Sequence, residues 1–441
     1  MRRAALLTLA SLFLSPSTQS QETAETDRPD APLGVVDTVT VEGNTKTETY
    51  VILNEMTLKA GSVVTREAIA FDRNRIYSLG LFTRVDIWYD SSFSPRTLRV
   101  IVGERWHIIP LLLFGFRDGD PKKVYFGAGV LHNNLRGRNQ KLYASFTLGY
   151  NPSFAFAYQD PLLDHDHHLF FSTGLGIERV RNRSVVEAEQ TGDYDERHYG
   201  VSAGIGKRFS LYTTARVLAG YTVVAIDDYR PGRTVSADGK DMFPQLTLAF
   251  TLDSRDLVEY ALTGTYVDAY ATLNGLWLST VEFARFGGDI RHYHRITDMV
   301  TIATRVHGSM VAGGMVPVYA QSYFGYTERI RGEYETVLQG ENIMGGTVEA
   351  RFMVLKPRVL NLDFLPIPSE FAFFRYGIGV ALFADVGTVW DRGDRITLTS
   401  FVSGYGGSLD LLLPYSFSVR LAYAWNEYRR GQFILDLRKA I

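Results

Sequence analysis

The feature that most restricts this chain is the two-residue rhythm that governs it from Trp106 onward. In "FSVRLAYAWNEY", Phe417, Val419, Leu421, Tyr423 and Trp425 fall on one side, and Ser418, Arg420, Ala422, Ala424 and Asn426 on the other. Successive side chains oppose one another only in a strand, so the segment has one apolar face and one small or polar face. "KLYASFTLGY" repeats this, with Leu142, Ala144, Phe146, Leu148 and Tyr150 opposite Lys141, Tyr143, Ser145 and Thr147, and "HLFFSTGLGIE" from His168 follows the same logic. Roughly sixteen such segments of about ten residues fit between His107 and Ile441, an even number as an antiparallel barrel requires.

An apolar strand face must meet either a second sheet or lipid. Two features favour lipid. Short turns such as "SLYT" and "HRIT" alternate with long polar stretches such as "VRNRSVVEAEQTGDYDERHY", and tyrosines and tryptophans gather near segment ends, where an aromatic girdle would lie. Composition agrees with a mainly β chain: aromatics are 13% and there are 40 glycines among 441 residues. A net charge of −2 supplies no basic excess for nucleic acid. With no cysteine, disulfides, thiolate zinc sites and cysteine nucleophiles are excluded.

The N-terminus reads differently. Residues 1–20 combine Arg2 and Arg3 with the apolar run Ala4 to Leu14, the layout of a signal peptide, and 21–33 form a polar, proline-bearing linker. No later run of about 18 apolar residues could form a spanning helix. Residues 34–104 then read β-α-α-β-β: "VVDTVTVEG" as a strand, a helix with Thr45 and Glu48 at capping-box spacing and Tyr50 to Met56 on its apolar face, and a second helix from Thr65. "LGLFTRVDIWYD" and "TLRVIVGE" complete the unit as strands. The barrel is expected over 105–441.

Within the barrel, "GGTVEARFMVL" turns Val348, Ala350, Phe352 and Val354 outward and Thr347, Glu349 and Arg351 inward. "RYGIGVALFADVGTVW" turns Tyr376, Ile378, Val380, Leu382 and Val386 outward and Phe383, Asp385 and Gly387 inward. A long irregular stretch from about Gly313 to Asn342 precedes the first of them and carries "ERIRGEYE", with Ile330, Arg331 and Gly332 at its centre. Two readings follow. The loop folds into the barrel and Arg331 meets Asp385, Glu349 or both, with Gly332 allowing a tight turn, or Arg331 is a solvated loop charge and Arg351 neutralises Glu349.

"RIRG", "GGTVEARF" and "FADVGTVW", in this order, resemble the loop motif and two late strands of the BamA/TamA outer-membrane assembly superfamily. "NLRGRNQKLYASFTLG", "YQDPLL" and "LDSRD" are similar to that family's earlier barrel segments, and the unit ending in "LGLFTRVDI" resembles a single POTRA domain. The resemblance covers nearly the whole chain after the linker. It implies an outer-membrane barrel with a periplasmic polypeptide-binding module and assigns Arg331 to the inward-folded sixth external loop, received by Asp385 with Glu349. It also implies that polypeptides are inserted or exported through a laterally opening seam between "HIIPLLLFGF" and "QFILDLRKAI". Expected partners are outer-membrane lipid, unfolded or partly folded clients held at a POTRA edge strand and at the seam, and periplasmic accessory proteins. No enzyme activity, cofactor or nucleic acid is implied. Two positions depart from the family pattern: Glu333 stands between the Arg-Gly pair and Tyr334, and the chain ends on Ile441 rather than an aromatic. A passive pore and a surface receptor are the alternative functions.

Metal readings rest on "DHDHH" (Asp164 to His168) and on His292 with His294, both expected at turns. The glycine cluster "GYGGS" fits a strand with small inward positions better than a phosphate cradle. No HExxH or P-loop sequence occurs.

Overall fold

The computed structural model describes residues 31–439 except 93, 118–121, 165, 182–194, 228, 230–231, 259, 334–335, 363, 365, 367–372 and 414–416. The expected signal peptide, most of the linker, Tyr334 and Ile441 lie outside the described residues.

The N-terminal domain contains strand β1 (Thr38–Glu42), helices α1 (Thr49–Leu53) and α2 (Arg66–Ser78), and strands β2 (Phe82–Asp90) and β3 (Thr97–Glu104). Its sheet has the order β1-β3-β2, with β1 parallel to β3 and β2 antiparallel to it, so β1 and β2 are the two edges. The core is filled by Ile52, Ile76, Leu81, Phe82, Leu98 and Val100, all fully buried, each contributing about 1.5–3 kcal/mol of transfer free energy. The Thr65 side chain caps α2 by accepting from the Ala68 N–H at 3.1 Å. Asp72, buried on the inner face of α2, accepts the Thr57 and Leu58 N–H groups and so pins the segment that follows α1. The capping box expected at Thr45 and Glu48 does not form. The Thr45 hydroxyl instead donates to Glu104 on β3 at 2.7 Å, α1 has no side-chain cap, and it spans five residues, ending before Met56.

Sixteen antiparallel strands follow. They are β4 (Ile108–Phe116), β5 (Val124–Leu135), β6 (Gln140–Gly149), β7 (Ser153–Asp164), β8 (Leu169–Arg181) and β9 (Asp195–Arg208). Next come β10 (Thr213–Ile226), β11 (Lys240–Asp253), β12 (Gly264–Asn274), β13 (Phe283–Arg295) and β14 (Val300–Gly313). The last five are β15 (Asn342–Asn361), β16 (Phe373–Trp390), β17 (Val402–Leu413), β18 (Phe417–Asn426) and β19 (Gly431–Lys439). Each pairs with its sequence neighbours, so β4 and β19 are the two ends of one sheet, and among the described residues no ladder joins them.

Exposure follows the two-residue period. On β16, Val380, Leu382 and Val386 are exposed while Ala381, Phe383, Asp385 and Gly387 are buried; on β15, Val348, Phe352 and Val354 are exposed and Glu349 and Met353 buried. The sheet curls around the buried side. Tyr260, from the turn between β11 and β12, packs on Met353 of β15 and Leu412 of β17, strands far from it in the sheet order. His292 and His294 lie within β13 rather than at a turn, stacked with ring centroids 6.4 Å apart.

The N-terminal domain is fastened to one rim. Glu55 is gripped by Arg75 of α2 at 2.7 Å and by Arg208 of β9 at 2.6 Å. The Glu48 N–H donates to the Gly137 carbonyl, the Asn134 amide donates to the Thr47 hydroxyl, and Leu257 of the β11–β12 turn is buried in the domain's own core. From the same rim β15 and β16 continue as a ribbon. Their pairing runs to Asn361↔Phe373, whereas β14 accompanies β15 only to Phe352 and β17 accompanies β16 only to Gly377.

Candidate functional site

The register of β15 against β16 sets Thr347 opposite Asp385 and Glu349 opposite Phe383, so two carboxylates project inward one step apart. The connection from β14 to β15 folds back over them. Its own short ladder pairs Ser322–Phe324 with Leu338–Gly340, and barrel-wall arginines hold it: Arg285 donates to Ser322 and the Ala320 carbonyl, and Arg305 donates to Glu328 at 2.9 Å while also binding Asp289. The Tyr319 hydroxyl donates to Asp241 at 2.7 Å, and burial beside that carboxylate pushes its pKa well above the ordinary tyrosine range.

Arg331 lies at the point where the loop meets the wall. Its Nε and Nη2 donate to Asp385 at 2.7 Å each, its backbone N–H donates to the same carboxylate at 3.0 Å, and Nη1 donates to Glu349 at 2.9 Å. The guanidinium carbon stands 3.6 Å above the Phe383 ring, a stacked cation–π contact. Burial works against the charged form, but the Asp385 bonds and the two carboxylates outweigh it, so its pKa stands above the ordinary arginine value.

Glycines on the loop and on the wall let the two approach closely. Gly332 has φ +103°, and a Cβ there would lie 2.5 Å from the Trp425 carbonyl oxygen. Gly387 leaves space for Phe324 and for Ile330, which is 3% exposed, and Gly404 lets the Arg331 carbonyl approach where any Cβ would collide with it. Glu333 accepts from the Asn426 amide at 2.8 Å, which fastens the loop tip to β18.

The structure brings all seven residues singled out in the loop and wall into this one contact region and joins them to others. Glu349 also accepts from Arg351 at 2.7 Å and from both terminal nitrogens of Arg420 at 2.9 Å, Arg420 grips Asp410 at 2.6 Å, and Thr347 donates to Asp385. The two readings of Arg331 exclude one another only if Glu349 serves a single arginine, and Glu349 is shared by Arg331 and Arg351. Three guanidiniums thus face three carboxylates in a buried knot. Alternation puts Arg420 on the inward face and the β17–β18 hairpin sets Asp410 directly opposite it, but its second partner, Glu349, is 71 residues away and carries no local signal.

The metal candidates are not part of this site. His167 pairs with Asp164 at 3.0 Å in its own turn, and no group of three or more potential ligands occurs among the described residues.

Residues 134–434 match the Omp85 superfamily domain, and residues 35–102 match a POTRA model described as a surface antigen variable number repeat. The chain is 22% identical over 307 residues to the outer membrane protein assembly factor BamA of Nitratidesulfovibrio vulgaris, which covers 67% of this chain and 37% of that protein's length. Among solved structures, BamA from Haemophilus ducreyi lacking POTRA domains 1–3 superposes with a TM-score of 0.55 at 14% identity, over 92% of this chain and 84% of that one. CdiB from Escherichia coli gives 0.54 at 12% identity, over 92% and 75%. The alternating wall, the single N-terminal domain and these matches lead to one conclusion: the chain belongs to the Omp85 superfamily, as an outer-membrane barrel with its POTRA domain in the periplasm.

Proposed function

We propose that this chain inserts or translocates other polypeptides at the outer membrane, acting by strand exchange rather than as an enzyme. The observation that carries the reading is the seam: β4 and β19 end the sheet with no ladder between them among the described residues. Backbone N–H and C=O groups left unpaired at such an edge are costly in lipid and are satisfied by an incoming strand. A client strand that adds to β4 or β19 gains those hydrogen bonds without any particular side-chain chemistry, so no cofactor is needed.

The POTRA edges β1 and β2 offer the same kind of pairing on the periplasmic side, and β2 presents Trp88, 63% exposed, on a strand whose outer edge has no ladder partner among the described residues. The partners are therefore unfolded or partly folded clients, membrane lipid and periplasmic accessory proteins. In this reading Arg331 is the catch that keeps the sixth external loop seated while the seam works, with Ile330, Gly332, Glu349, Phe383, Asp385 and Gly387 as its seat.

The test uses the absence of native cysteine. One cysteine within Ile108 to Leu113 and one within Phe433 to Leu437 should form a disulfide across the seam whenever the two edges close to Cα separations of about 4.4 to 6.8 Å. Oxidation should stop client assembly while leaving the barrel folded, and reduction should restore it. Full client assembly by completely crosslinked protein would remove lateral opening and favour a passive pore or a surface receptor.

A further inference from the structure

We infer that the periplasmic turn between β11 and β12, residues 254–263, couples the docking of the POTRA domain to the seating of the sixth loop. The inference goes beyond the assembly reading and does not require it.

The turn touches both partners within five residues. At one end Leu257, 6% exposed, is part of the POTRA core with Phe82 and Val100, although it belongs to the barrel. At the other, Tyr260 and Ala261 enter the barrel mouth. The Arg351 guanidinium lies 4.9 Å from the Tyr260 ring centroid, and Arg351 Nη1 donates to the Ala261 carbonyl at 3.2 Å. Arg351 and Arg331 then share Glu349, at 2.7 and 2.9 Å. The path from the POTRA core to the loop arginine therefore runs Leu257, Tyr260 with Ala261, Arg351, Glu349, Arg331.

Two observations make this turn a strut. Asp256, itself buried, accepts the N–H groups of Leu257, Leu262 and Thr263 through one oxygen at 2.9–3.2 Å, which fixes the angle between the two anchored ends. Tyr260 is 5% exposed and packed between Met353 and Leu412, so it cannot shift without disturbing β15 and β17. Moving the domain off the rim requires either withdrawing Leu257 from an apolar core or dragging Tyr260 from beneath Arg351. Either event perturbs the carboxylate that Arg331 holds.

Coupling between two sites is reciprocal, and that fixes the experiment. In the full-length protein folded into liposomes, with folding checked by heat-modifiable migration, two rates are measured. One is protease cleavage within 314–341. The other is disulfide formation between Thr47→Cys and Asn134→Cys, whose native side chains are 2.9 Å apart across the domain–rim contact. Leu257→Ala should speed loop cleavage about fivefold or more, and Arg331→Ala should slow the crosslink by a smaller factor, because cleavage reads the rare unseated loop and the crosslink reads the docked majority. Should Leu257→Ala fail to fold, Tyr260→Leu keeps an apolar filler but removes the ring beneath Arg351, and it should speed loop cleavage while the domain remains docked. Slower crosslinking in Leu257→Ala with loop cleavage at the unsubstituted rate overturns the inference, as does unchanged loop cleavage in Tyr260→Leu. Neither readout depends on client assembly, so failure here is distinct from failure of the seam.

Discussion

Arg331 is held by charge, by its own backbone N–H and by shape, and these can be separated. Removing one partner of a buried, hydrogen-bonded pair typically costs about 3–5 kcal/mol because the other charge is left stranded. Arg331→Ala and Asp385→Ala should therefore each expose the loop at 314–341 to protease while the barrel stays folded; loops as resistant as in the unsubstituted protein would mean the buried pair contributes nothing to seating. Gly404→Ala separates shape from charge, because it keeps every ionic partner but sets a methyl against the Arg331 carbonyl. It should loosen the loop as well, and a loop that remains resistant would show that the close approach is not needed. Alternation alone was enough to point Glu349 and Asp385 inward, since the period fixes the face of every residue once one is known. It could not reveal that Arg420, paired across the β17–β18 hairpin with Asp410, also reaches Glu349 on β15, because that meeting depends on register and curvature summed over several strands.

At the scale of elements, the outward face of β15 is open to a quantitative check. Phe352→Arg should cost about 2–4 kcal/mol if the residue meets lipid near the midplane, whereas Thr247→Lys on the inward face of β11 should be tolerated. Comparable losses in liposome-folding titrations would reverse the assigned faces. The POTRA domain carries a pH-dependent element in the segment before α1. Burial pushes the pKa of Glu104 up, but its bonds from the Thr45 hydroxyl and the Lys46 and Thr47 N–H groups outweigh this and leave it below the ordinary value of 4.5. A depressed carboxylate contributes stability that is complete above its unfolded pKa and lost as pH falls through the folded one. Hydrogen exchange in segment 44–49 should thus show opening as pH drops below about 4.5. Glu104→Gln should be open already at neutral pH; equal protection in both proteins would deny Glu104 this role. The same carboxylate explains a misreading, for Thr45 and Glu48 have the right spacing for a cap, but a stronger acceptor 59 residues away takes the hydroxyl. The second helix was legible because the Thr65 side chain makes the cap its position predicts, accepting the Ala68 N–H.

For the whole molecule, strand number and order were readable because each strand pairs with its sequence neighbour, so topology is carried by local alternation and turns. The fastening of the POTRA domain to the rim was not readable, since it depends on Leu257 leaving its own domain's pattern to join another core. The knot of Arg331, Arg351 and Arg420 against Glu349, Asp385 and Asp410 has one more property at this scale: its formal charges cancel. A balanced cluster adds little net field along the lumen, so with the loop seated it is close to electrically silent toward passing ions. Arg331→Ala leaves two positive groups against three negative ones at that depth, and rings of carboxylates draw cations. In planar bilayers under a salt gradient, the reversal potential of the variant should move toward the cation equilibrium value, so the catch that seats the loop also sets which ions the lumen prefers.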